Sequence, residues 1–189
     1  LLVNNAGFGL WGAFAERPLE RQIAMIELNV AALTCLAGLF LPPMLARRRG
    51  GIINVASVAA FLPGPHMSVY YASKAYVLSF SEALSYETRG SGVVVTALCP
   101  GPTRSEFAEV AGFGLAPMAE HAAMTARKVA RLGLRGHRAS RRLVISGAGN
   151  KLAAAASRFL PRGLTMGLAA AFQKNARGAA GASRAGAAG

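Results

Sequence analysis

The sequence predicts an α/β fold built on a doubly wound parallel sheet, and two observations predict it. Short apolar runs alternate along the chain with longer segments in which apolar residues recur at helical spacing. The runs at residues 52–56 and 93–98 are almost continuously apolar, the pattern of strands covered on both faces rather than on one. With 189 residues, 53% of them hydrophobic, the chain has the size and apolar content of one globular domain. That domain is expected to span residues 1–174, with 175–189, nearly all Ala, Gly, Arg and Ser, as a disordered tail.

Each element has its own local signals. Residues 1–5 read as a short strand that runs into the turn Gly7-Phe8-Gly9. Residues 19–46 place Ile23, Ile26, Val30, Leu33, Ala37 and Leu41 at helical intervals behind Pro18, which predicts a long helix interrupted at Pro42-Pro43. Residues 28–46 approach the length of a membrane span, but Asn29, Thr34 and the proline pair favour a buried helix. Arg47-Arg48-Arg49-Gly50-Gly51 makes the exit turn before the strand at 52–56, and Pro63-Gly64-Pro65 marks 61–67 as a loop. A helix over 69–86 is closed by Arg89-Gly90-Ser91-Gly92. The β-branched strand 93–98 is stopped by Pro100-Gly101-Pro102. Beyond it the pattern predicts a helix over 118–132, a fourth strand at 143–146, and short helices over 150–159 and 164–173 separated by Pro161.

The formal charge of +13 is unevenly placed. Residues 1–120 carry 8 basic and 8 acidic side chains; residues 121–189 carry 13 basic and none acidic. The high isoelectric point therefore describes the C-terminal third and says nothing about chemistry in the neutral body. The plain reading of that third is a solvated, Arg-rich surface. The sharper one is peripheral contact of residues 152–172 with an anionic membrane surface. Stacking aromatics are scarce there, which argues against nucleic acid. Cys35 and Cys99 form no C-x-x-C spacing, so neither a metal site nor a disulfide framework is expected, and a reducing cytoplasm fits. The chain opens on Leu1-Leu2-Val3, without Met, in an apolar strand, and reads as cut at that end.

In doubly wound sheets chemistry lies beyond the C-terminal strand ends. Here those ends are Asn4-Asn5-Ala6-Gly7, Ala56-Ser57, Cys99-Pro100-Gly101 and Ser146-Gly147. Tyr70 and Lys74 sit four residues apart on a predicted helix and project from one face. Ser57 lies thirteen residues upstream of Tyr70, and Asn29 lies in the preceding long helix. The ordered set Asn4-Asn5-Ala6-Gly7, Asn54-Val55-Ala56-Ser57, Tyr70-Tyr71-Ala72-Ser73-Lys74 and Pro100-Gly101-Pro102-Thr103 resembles the short-chain dehydrogenase/reductase family over residues 1–146.

That resemblance implies a Rossmann-like fold and hydride transfer between NAD or NADP, with a slight preference for NADP, and an alcohol or carbonyl. Carried over by position, Tyr70 would be the acid/base, Ser57 would bond the substrate oxygen, Lys74 would bind the nicotinamide ribose and Asn29 would hold a water relay. Tyr71 is one residue too close to Lys74 for the family pattern. Asn5, Ala6, Gly7, Pro100, Gly101 and Thr103 would meet the cofactor, although Asn5 could serve the sheet and Thr103 could cap the segment from Ser105. A free phenol titrates near ~10, and a neighbouring ammonium is expected to lower it. Phe61, Leu62, Met67, Phe107, Phe113 and Leu115 are expected to line a cleft for a small or medium hydrophobic substrate, under a lid at 104–118. His66 is expected to be a solvent-exposed loop residue. The helices at 19–46 and 69–86 are expected to make homo-oligomer contacts.

Gly7-x-Gly9-x-x-Gly12 spells a dinucleotide fingerprint. It is rejected because Pro18 falls where the interior of the phosphate-binding helix should lie. Members of the family normally start with a strand, a Thr-Gly-x-x-x-Gly-x-Gly turn and two more strands. The resemblance therefore covers the catalytic, C-terminal part of such a domain and lacks about 75–80 residues. The polypeptide alone is expected to bind dinucleotide poorly and turn over little, with its first strand an unpaired edge. The rival reading is a non-catalytic α/β module that contacts a partner or membrane through its basic C-terminus.

Overall fold

The computed structural model describes residues 1–112, 123–157, 159–161, 163–167, 169 and 170. Four parallel strands form the sheet: β1 (Leu2–Asn4), β2 (Gly50–Val55), β3 (Val93–Cys99) and, last along the chain, β6 (Leu143–Ile145). Their spatial order is β1-β2-β3-β6, and β4 (Thr103–Arg104) and β5 (Met124–Thr125) form a separate short parallel pair. Leu2 lies opposite Ile52, which lies opposite Val95, so one row of apolar residues crosses three strands.

One face of the sheet is covered by a long helix at Leu19–Ala46 and by α3 (Ser68–Glu87). The long helix consists of α1 (Leu19–Ile26), a π-helical stretch Glu27–Ala32 and α2 (Leu33–Ala46). Leu33, Ala37 and Met44 from it, with Val77, Leu78 and Leu84 from α3, bury Ile52, Val93, Val95, Ala97 and Cys99. The opposite face receives α5 (Ala126–Arg138), whose Val129 packs with Ile53 and Leu98. That helix lies close to the sheet because of two glycines. A Cβ on Gly133 would sit 2.8 Å from Leu98 Cδ2, and one on Gly136 would sit 2.2 Å from Val144 Cγ2. A short helix α4 (Phe107–Ala111) and a helix α6 (Ala148–Ala156) follow, and residues 163–167 are again helical. The doubly wound parallel architecture is thus the one the apolar runs predict.

Differences from the sequence reading have local causes. The long helix passes through Pro42 and Pro43 without a break. The carbonyls the prolines leave unpaired, those of Gly38 and Leu39, belong to exposed residues, where water can serve them. Its irregularity falls instead at Glu27–Ala32, around the buried Asn29. The helix expected at 118–132 begins only at Ala126, where Thr125 caps it by accepting the Lys128 N–H at 3.3 Å, and runs on to Arg138. Residues 118–122 lie outside the described residues, as do the tail at 175–189 and the end of the helix expected at 164–173.

The long helix is long and apolar enough to cross a membrane, with a mean hydropathy of 1.9 over its most apolar 18 residues. It nevertheless buries a stripe, Gln22, Met25, Asn29, Leu33, Ala37 and Met44, against the domain. Leu36, Leu39 and Phe40 point outward. At the other side of the sheet β1 pairs, among the described residues, with β2 alone and forms an edge that leaves Val3 half exposed. A buried chain of amides anchors that edge. Asn4 Nδ2 donates to Asn54 Oδ1 at 2.8 Å, and Asn54 Nδ2 donates to Ser81 Oγ at 2.9 Å.

Candidate active site at the C-terminal strand ends

The ends of β1, β2 and β3 open into a cleft of about 610 Å³, a volume suited to a small organic ligand, lined by Asn5, Gly7, Ser57, Tyr70, Lys74, Pro100, Gly101 and Thr103 among others. The helical spacing in α3 does what the sequence requires of it. Tyr70 and Lys74 both face the cleft, with the Lys74 ammonium 5.9 Å from the Tyr70 ring centroid. The adjacent Tyr71 is set edge-on to Tyr70 at 6.0 Å and lies against Gly64, where a Cβ would come within 2.2 Å of its ring. Tyr71 lines the cleft as well, but it is the Tyr70 ring that lies under the Lys74 ammonium and the Tyr70 phenol that has Ser57 beside it. Ser57 leaves β2, caps the turn Val58–Phe61 through Ala59 N–H at 3.1 Å, and lies beside the Tyr70 phenol, where its hydroxyl favours the phenolate.

Burial dominates the electrostatics. Tyr70 is pushed up to about 12, chiefly by desolvation, with the Ser57 hydroxyl pulling the other way. Lys74 is pushed down to about 8, again by burial, while Nζ donates to Val55 O at 2.9 Å. The expected lowering of the phenol by the ammonium is not what this geometry gives. The loss of water around a buried phenolate outweighs a cation held beside the ring and tied to a backbone carbonyl. Burial also pushes the neighbouring Cys99 thiol up to about 12, so it stays neutral.

Asn29 is buried in the π-helical stretch. Its Nδ2 donates to Phe8 O at 3.0 Å and Ser73 Oγ at 3.1 Å, and its Oδ1 accepts from Phe8 N at 3.1 Å. Both amide protons are thereby used and one Oδ1 lone pair remains. The side chain thus ties the turn after β1 to α3. Gly7 is needed in that turn, because a Cβ would lie 2.8 Å from Asn29 Oδ1 and 3.5 Å from Lys74 Nζ. Asn5 and Gly7 line the cleft, whereas Ala6 is exposed beside it.

The Pro100–Thr103 segment is held from behind by residues the sequence reading named only as a strand end or not at all. Ser146 N–H donates to Cys99 O at 3.2 Å, and Ser146 Oγ accepts from Gly101 N at 3.0 Å. Asn150 Nδ2 donates to Ser146 O at 2.6 Å. Thr103 Oγ1 donates to Gly101 O at 2.9 Å, and Ser105 Oγ, not Thr103, accepts the Phe107 N–H at 3.4 Å, so Thr103 is not that segment's cap. The available signal was a serine at the C-terminal end of the last strand, beside the Pro100–Gly101 turn.

The expected cleft lining is met in part. Met67 and Phe107 line it, and the Phe107 ring lies 5.2 Å from that of Tyr70. Phe61 packs instead against the core around Leu33 and Val77, and Leu62 lies outside the lining. Phe113 and Leu115 lie outside the described residues. His66, expected in solvent, is half-buried and stacks on Trp11 at 5.9 Å. The Gly7–Gly12 turn opens no helix; only a single turn at Phe14–Glu16 precedes Leu19.

The family model for short chain dehydrogenases matches residues 1–113. The chain belongs to the short-chain dehydrogenase family. A short chain dehydrogenase of Pseudocercospora fijiensis is 39% identical over 109 residues, 57% of this chain and 35% of that protein. Among solved structures, a short-chain dehydrogenase from Sphingobium yanoikuyae in complex with NADPH is 33% identical, with a TM-score of 0.73 over 84% of this chain and 62% of that one. A bulky-bulky ketone specific alcohol dehydrogenase from Comamonas testosteroni is 28% identical, with a TM-score of 0.67 over 84% and 60%. The chain thus spans less than half of the curated relative and under two thirds of the solved ones. This Rossmann-like domain belongs to a family of oxidoreductases.

Proposed function

We propose that the cleft is the substrate and nicotinamide end of an NAD(P)-dependent short-chain oxidoreductase acting on hydrophobic alcohols or carbonyls. The observation that carries the reading is the grouping of Ser57, Tyr70 and Lys74 in one cleft at the strand ends. The residues present fit a nicotinamide riboside. Gly7 lets backbone approach Lys74, and the ammonium, with one of its three protons on Val55, has two donors left for ribose hydroxyls. Bound there, NAD or NADP would supply the hydride acceptor or donor.

The protein's own part is positioning and proton transfer. Tyr70, neutral at physiological pH because of its burial, donates its phenolic proton to a carbonyl oxygen during reduction, while Ser57 holds that oxygen by a second hydrogen bond. In the oxidative direction the buried phenol needs a proton outlet. The roles of Lys74 and of the remaining Oδ1 lone pair of Asn29, through a water relay, are to supply it. Asn5, Pro100, Gly101 and Thr103 border the nicotinamide end. Met67 and Phe107 select for apolar substituents. The neighbour solved with NADPH and the ketone-specific neighbour support NADP and a carbonyl substrate. A cytoplasmic enzyme, paired through the outward stripe Leu36, Leu39 and Phe40 and the nearby Tyr76, completes the reading.

The test is an absorbance assay of reduced nicotinamide, NADPH and NADH separately, with a panel of hydrophobic ketones. Ketone-dependent oxidation of either cofactor is the expected result. Cofactor binding without turnover of any ketone would remove the catalytic reading and leave the non-catalytic α/β module.

A further inference from the structure

The C-terminal segment reverses the usual arrangement of large and small residues. Among the described residues between 148 and 170 the buried positions are the small side chains Ala154, Thr165 and Ala169, while Leu152, Phe159, Leu160, Leu164 and Met166 are exposed. Leu152 keeps 73% of its surface in solvent and Phe159 87%. Isolated exposed apolar residues are ordinary, but a run of five within one short segment marks a surface that is covered in use. The segment starts at α6, then turns at Phe159 and Leu160, whose N–H groups both donate to Ala156 O, and resumes after Pro161, whose carbonyl accepts from Leu164 N and Thr165 N.

The charge says what covers it. Lys151, Arg158 and Arg162 interleave with those apolar residues in sequence, and residues 121–189 hold 13 basic and no acidic side chains. Two copies of such a segment repel when placed face to face. Apolar side chains among cations match the interface of an anionic bilayer, where the former enter the acyl boundary and the latter meet lipid phosphates. We propose that this segment docks the protein on anionic membrane surfaces, by partial insertion of Leu152, Phe159 and Leu164. Its position gives the docking a use whatever reaction the cleft performs. α6 packs beside the Val58–Phe61 turn that Ser57 caps, and its Asn150 braces the Gly101 side of the cleft, so a docked chain holds the cleft near the lipid phase.

The test is flotation of the full chain with vesicles of phosphatidylcholine alone or with about a third phosphatidylserine. Flotation with the anionic vesicles only is expected. The variant Leu152→Ser/Phe159→Ser/Leu164→Ser should reduce it by roughly tenfold with unchanged circular dichroism and elution volume, since all three side chains are exposed. Absence of flotation on anionic vesicles would overturn the proposal, and so would equal flotation on neutral ones or undiminished flotation of the variant. A variant that shifts from dimer to monomer, from a parent that never floats, would assign the surface to a second copy and also overturn it.

Discussion

Helices α3 and α6 treat the same residue types in opposite ways. In α3 a lysine and a tyrosine are buried among apolar neighbours, and burial moves their titrations toward about 8 and about 12. In and after α6 the lysine and the large apolar side chains are exposed, and alanines face inward. The interior of the sheet follows the first rule. Met44 fills the space over Gly50, Leu98 that over Gly133, and Val144 that over Gly136. The difference separates a part of the molecule in which burial shifts titratable groups from a part that leaves large apolar side chains in solvent.

Changes in the buried region should have the largest effects. Lys74→Met is expected to lower turnover by about 10³ and to weaken nicotinamide binding, read by steady-state kinetics and cofactor fluorescence. It also has a pH signature. Folded Lys74 titrates near 8 rather than 10.5, so between those values the unfolded chain holds more protons and stability rises with pH. Tyr70, near 12 rather than 10.0, reverses the sign, and stability falls between about pH 10 and 12. Chemical denaturation of Lys74→Met at a series of pH values should lose the rise above pH 8 and keep the fall above pH 10.

Gly136→Ala comes next. The new methyl meets Val144 Cγ2 at 2.2 Å, and overpacking costs on the order of 1–3 kcal/mol, measurable as a lower denaturation midpoint. Ser146→Ala frees Gly101 N–H and should raise the nicotinamide KM by about fivefold, as expected for the loss of roughly 1 kcal/mol of loop positioning, with kcat changed less. An equal loss in kcat alone would place Ser146 elsewhere in the reaction. Leu152→Ser alone should shift stability by less than about 0.5 kcal/mol. A loss as large as that of Gly136→Ala would mean the C-terminal segment is core after all, and the contrast between the two helices would fail.

The sequence made the architecture readable where one signal dominated. The β-branched run that became β3 could only be a strand, and the four-residue step from Tyr70 to Lys74 put both in the cleft. Other features depend on tertiary balance. Pro42 and Pro43 look like a helix break until the freed carbonyls prove to be on the exposed side. Phe61 looks like cleft lining until the turn after Ser57 directs it into the core. The helix expected at 118–132 runs on to Arg138 because the basic residues at its end do not interrupt it, and Thr125 caps its start at Ala126. The direction of the Tyr70 shift was beyond reach for the same reason: the presence of a cation is written in the chain, and the depth of burial is not.

The central claim is that Tyr70 moves the proton and Lys74 and the glycine-bordered backbone hold the nicotinamide. Tyr70→Phe separates the two. Reduced-cofactor fluorescence should give an unchanged Kd while turnover falls by at least about 10². Turnover within a few-fold of the parent, with cofactor bound, would contradict the account.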